Sequence, residues 1–150
     1  MRGSTVKCDV GGIQAAIRQV GDRAVKGVSG VMRDFGEIIA HQAEMNAPRD
    51  TGALEDAIQV KMDRDSNGRL VVKIYVSRTA MNEGGYRVAD YAYQMETGLA
   101  PFGTGEYQAG QGTVAKGPQA GGRYLERAVQ QHRQELLQRV ARIVRKAVGR

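Results

Sequence analysis

The sequence predicts an α+β domain in which a long N-terminal helix and a C-terminal amphipathic helix pack on a small, mainly antiparallel sheet of about three to four strands. Three observations carry this expectation. Apolar residues recur at helical spacing over residues 10–46 and again from Leu125 to Ala147. Between them, residues 57–77 hold alternating and β-branched runs on either side of an Asn-Gly turn. Helices at both ends with strands between them make a layered α+β pattern.

The first helix rests on Ile13, Ile17, Val20, Ala24, Val28, Val31, Phe35, Ile38 and Met45, which recur at steps of three and four, with Gln42 filling one step. Gly21, Gly27, Gly30 and Gly36 interrupt it. Each costs about 1 kcal/mol against Ala in a helix interior. The helix therefore bends or breaks near Gly27 to Gly30, or these small residues let another helix approach closely. Pro48 ends the pattern, because a residue before proline avoids the helical region.

The stretch from Ala47 to Leu54, Ala-Pro-Arg-Asp-Thr-Gly-Ala-Leu, is turn chemistry. Pro48 fixes φ, Gly52 allows φ above zero, and Asp50 or Thr51 can accept a backbone hydrogen bond. Ile58, Val60 and Met62 then alternate with Gln59, Lys61 and Asp63, as in a half-buried strand. Asn67-Gly68 marks a hairpin, and residues 70–77 form the return strand. Residues 88–98 read as a third strand, with Tyr91, Tyr93 and Met95 on one face; a short helix is the alternative.

Residues 97–122 form a long Gly-rich loop. They contain eight Gly and two Pro and follow neither a two-residue nor a 3.6-residue period. A structureless loop of this length is expected to order against a partner. The last helix is clean: Leu125, Val129, His132, Leu136, Val140, Ile143 and Ala147 form its stripe, Ala128, Leu137 and Val144 widen it, and Gly149 lies beyond its end. The whole chain, 1–150, reads as a single domain, with residues 1–9 as a flexible N-terminus.

Charge is concentrated at one end. The chain carries a net +6, and the segment from Arg123 to Arg150 has eight Lys or Arg against Glu126 and Glu135, a surplus that equals the whole excess. Arg139, Arg142, Arg145 and Lys146 form the basic face of the last helix. Such a face meets nucleic acid, an acidic partner or water, and cations also suit a helix C-terminus. The lone Cys8 cannot form an internal disulfide and fits a reducing compartment. No stretch approaches the roughly 20 apolar residues of a membrane helix, so no membrane partner is expected.

Chemistry is not signalled. Lys116-Gly117-Pro118 lacks the Gly-Lys-Ser or Gly-Lys-Thr ending of a phosphate loop. His41 and His132 lie far apart, and His41 with Glu37 and Glu44 reads as a solvated helix face rather than a metal site. No Ser sits in a nucleophile-elbow context. The expectation is a protein with no catalytic residues, no metal and no cofactor.

Two short segments carry a resemblance. The first helix ends in Ala47, Pro48, Asp50, Thr51, Gly52 and Leu54. Tyr91, Ala92, Glu96 and Gly98 follow the sheet, and Tyr124 and Leu125 open the last helix. In order and spacing these resemble the neck or tail-completion proteins of long-tailed bacteriophages and prophages, over about residues 10–148. The usual Gly-Thr step is replaced by Gly98-Leu99, and Pro101-Phe102 stands ahead of the Gly-rich insertion instead of before the final helix.

The resemblance implies a structural part of the head–tail junction. Such a part self-associates into a ring and docks to connector or head-closure proteins and to tail proteins. It implies assembly in the host cytoplasm and a final place in the virion, with the basic helix able to contact packaged DNA. Pro48, Asp50, Thr51, Gly52, Leu54, Tyr91, Ala92, Glu96 and Gly98 are its architectural or interface residues. Glu96 is expected to bond the Asp50–Gly52 turn or a neighbouring subunit's Arg. The alternative is a small basic nucleic-acid-binding protein that uses the Arg-rich helix, although no recognised reading motif accompanies the arginines.

Overall fold

Two long helices, α1 (Val10–Asn46) and α5 (Tyr124–Val148), run antiparallel along one another in the computed structural model, which describes residues 10–49, 51–97 and 108–149. Asn46 meets the start of α5 at Tyr124, and Gly27 meets Ile143 near its end. Between them come α2 (Ala53–Asp56), β1 (Ile58–Arg64), β2 (Leu70–Val76), α3 (Val88–Thr97) and α4 (Gln111–Lys116).

The glycines of α1 do not break it: the helix is continuous over 37 residues. Two of them instead allow close packing. A Cβ on Gly27 would lie 2.6 Å from Ile143 Cγ2, and one on Gly36 would lie 2.7 Å from Val72 Cγ1 and 3.0 Å from Val60 Cγ1. Gly36 is thus the point where the sheet seats on the helix. Gly21 and Gly30 meet nothing, so close packing does not account for them.

The sheet is a single antiparallel hairpin, not three to four strands. Its register pairs Ile58 with Val76, Val60 with Ile74 and Met62 with Val72, which puts these residues on one face, against α1. The other face carries Gln59, Lys61, Lys73 and Tyr75 and is open to solvent. There Lys73 donates to Asp63 at 2.7 Å, and that bond holds the Asp63 carboxyl below its ordinary value. Asp65 organises the turn: its carbonyl accepts from Gly68 N, and its carboxylate from the N–H groups of Asn67 and Arg69. Gly68 takes the left-handed conformation (φ 74°).

Residues 88–97 form a helix, which corrects the expected third strand. The segment supports both periods, but Val88, Tyr91, Ala92 and Met95 fall on one helical face, and all four pack in the core. A strand would have pushed Val88 and Ala92 to the face opposite Tyr91 and Met95. Of Tyr91, Tyr93 and Met95, the helix leaves Tyr93 outside, 74% exposed.

The core lies where α1, α2, β1, α3 and the first turns of α5 converge. Ala40, Ala43, Ala47, Leu54, Ala57, Val88, Ala92, Tyr124 and Ala128 are buried there. Small residues dominate, so elements approach closely around one large ring, Tyr124. Beyond this core α1 and α5 continue as a two-helix arm. Arg139 closes part of it by lying 5.2 Å over the Phe35 ring while pairing with Glu135 at 2.7 Å.

Candidate interface

The C-terminal end of α1 is the most densely bonded polar region described, and the turn that follows it begins there. A helix end leaves carbonyls without partners. Lys116, from α4, supplies donors: its ammonium reaches Glu44 O at 2.6 Å and Ala47 O at 2.8 Å and pairs with the Glu55 carboxylate at 3.2 Å. A cation there also matches the helix dipole. Glu55 in turn takes both Nε and a terminal nitrogen of Arg49, at 2.9 and 3.0 Å. Thr113, buried, accepts from Arg49 N and donates to Arg49 O. Gly112 lies so close that a Cβ would sit 2.6 Å from Arg49 O.

Asn46, fully buried, joins the two long helices. Its amide donates to Tyr124 O and Gln131 Oε1, and its side-chain oxygen accepts from Gln42. Its own carbonyl accepts from Gly121 N at 2.8 Å and from Arg127 at 3.3 Å. The second half of the Gly-rich segment is therefore bound to the end of α1 and contains a helix, where the sequence suggested only aperiodic loop. Residues 98–107 of that segment lie outside the described residues.

Glu96 ends α3 and caps α5. Its two carboxylate oxygens accept from Leu125 N and Glu126 N, each at 2.9 Å. The residue in the capping position, Arg123, adopts φ 55° and provides no side-chain bond of its own. Glu96 thus meets the next helix, while Asp50 of the turn expected as its partner lies outside the described residues. Burial above all, then the negative charge of Glu96, pushes the neighbouring Tyr124 phenol above its ordinary value.

The remaining candidates divide by place. Pro48 and Leu54 are buried, Gly52 takes φ 91° as its turn requires, and Thr51 is exposed. Asp50 and Gly98 lie outside the described residues. Leu54, Tyr91 and Ala92 share the core with Tyr124, so the two motif segments do pack together. Arg139, Arg142, Arg145 and Lys146 lie along the arm, far from that junction. His41 faces solvent beside Glu44 at 3.3 Å, and no metal-type cluster forms among the described residues. No described helix is long and apolar enough to cross a membrane.

Lys116, Arg49, Glu55, Thr113 and Asn46 were missed from sequence. Their partners stand up to 85 residues away, and no local spacing signals them.

Residues 12–98, more than half of the chain, match the HK97-gp10-like family, described as "Bacteriophage HK97-gp10, putative tail-component". The match runs through α1, the hairpin and α3 and stops before α4 and α5. No curated protein and no solved structure matches the chain.

Proposed function

The chain belongs to the HK97-gp10-like family of bacteriophage tail components, and on that premise we propose that it is a structural part of the head–tail junction. In this reading the whole chain acts as one unit. Copies assemble in the host cytoplasm into a ring that docks to connector or head-closure proteins on one side and to tail proteins on the other. Docking draws its energy from apolar area buried between subunits, and heterologous contacts give a closed ring when their rotation closes.

The observation that carries the reading is the family match over the segment that holds both motif stretches. The fold is compatible with it: a rigid junction holds an arm whose outer side is apolar and basic. The motif residues then set the angle between arm and sheet, and the chemistry required of them is architectural.

Labelling tests this. Antibody against the chain, applied to purified virions, should mark one site per particle, between head and tail. Label along the tail shaft, on the capsid or absent from virions would refute the placement.

A further inference from the structure

The outer side of α5 carries a second apolar stripe that no described residue covers. Leu137 (58% exposed), Ala141, Val144 (42%) and Val148 (60%) recur at steps of four, three and four, on the side turned from α1. Arg145 borders it beside Ala141, Arg142 lies next to Arg145, and neither makes an ion pair among the described residues. At the other end of the molecule is a cleft of about 280 Å³ with an apolar floor, Ala53, Ala57, Ala80 and Met81 (55% exposed), and an acidic rim, Asp56 and Glu83. Neither carboxylate has an ion-pair partner among the described residues.

These two surfaces are complementary in apolar content and opposite in charge. They cannot meet within one chain. The cleft adjoins the C-terminal end of α1, through Ala57 in the core, while Arg142 and Arg145 lie alongside Gly27, where Ile143 packs. Some 20 residues of helix separate those ends, about 30 Å at 1.5 Å per residue. We infer that the basic, apolar end of α5 in one copy seats in the Asp56–Glu83 cleft of the next, so that copies join head to tail. This rests on the ring reading above and deepens it by naming the two surfaces. Unlike surfaces at opposite ends give a heterologous contact, the type that builds rings. Nucleic acid suits the stripe poorly, because a phosphate backbone takes cations but offers nothing to cover Leu137 and Val144.

Charge reversal tests the pairing in particles, with a deletion of the gene complemented by each variant. Arg142→Glu with Arg145→Glu, and separately Asp56→Lys with Glu83→Lys, should each abolish joined particles while circular dichroism stays that of wild type. The chain carrying all four changes regains complementary ends and should restore joining. So should co-expression of the two variants, in rings that alternate. Single-surface variants that join normally would overturn the pairing. So would failure of the fourfold variant and of the mixture, or loss confined to the arginine variant, as a DNA contact would give. If the deletion itself leaves joining intact, the junction reading fails rather than the pairing alone.

Discussion

Glu96 caps a helix from a distance in sequence: its carboxylate accepts from the N–H of Leu125, 29 residues on, at 2.9 Å. A carboxylate at a helix N-terminus is favoured both by the bond and by the dipole. One short motif thereby ties the end of α3 to the start of α5.

Glu96→Ala should lower stability by about 0.5–2 kcal/mol, the range for losing a helix cap. Glu96→Gln keeps an acceptor and should lose less. Thermal melts of both variants check the order. Equal melting temperatures for Glu96→Ala and wild type would show that the cap carries no stability.

Lys116→Met keeps the aliphatic stem and removes the charge. It leaves the carbonyls of Glu44 and Ala47 without this donor, while Glu55 retains Arg49. Bonds to charged groups are worth about 1.5–3 kcal/mol, and a loss in that range is expected. Amide exchange should show residues 111–121 losing protection before the hairpin does. Protection equal to wild type would contradict the clamp.

The glycines of α1 sort by what surrounds them. Gly30→Ala meets open space and should gain about 0.5–1 kcal/mol from helix propensity. Gly36→Ala would force Val72 and Val60 off the helix and should destabilise. Denaturant midpoints give the signs directly, and a gain at both positions would contradict the seating of the sheet on Gly36.

Gly52→Val should destabilise by about 1–2 kcal/mol, because φ 91° is disfavoured for a β-branched residue although the side chain itself has room. Gly52→Asn, which tolerates left-handed backbone better, should fall between. An unchanged melting temperature for Gly52→Val would mean the turn can re-form without Gly.

Alkali offers an independent probe of the core. Tyr124 is raised above the usual phenol value, so its contribution is fully present below that value and is lost as pH rises from there toward the folded-state value. Stability should fall across that alkaline range, and ultraviolet absorbance should show a phenol ionising above the usual value. A Tyr124→Phe variant with the same alkaline titration and stability profile as wild type would contradict this role for Tyr124.

The long-period elements were legible in the sequence because their signal is local. Steps of three and four through Phe35 and Ile38, or through Leu136 and Val140, state a helix by themselves, and Ile58-Val60-Met62 states a strand. Val88 to Thr97 was not legible in the same way: Tyr91-Tyr93-Met95 fits a strand and Val88-Tyr91-Ala92-Met95 fits a helix, and only the core against which they pack decides. Leu137 and Val144 looked like extra width on the buried stripe of α5. They lie instead on its outer side, because α1 is a single cylinder and covers only one side of its neighbour. Lys116 and Glu96 act across 69 and 29 residues, so turn chemistry near them carried no trace of their partners.

The claim that this tail-component chain works at the head–tail junction is tested most directly by particles made without it. Electron microscopy of lysates from a deletion strain should show filled heads and full-length tails that remain separate, with joining restored by the wild-type chain. Joined, infectious particles at wild-type yield in its absence would contradict the account.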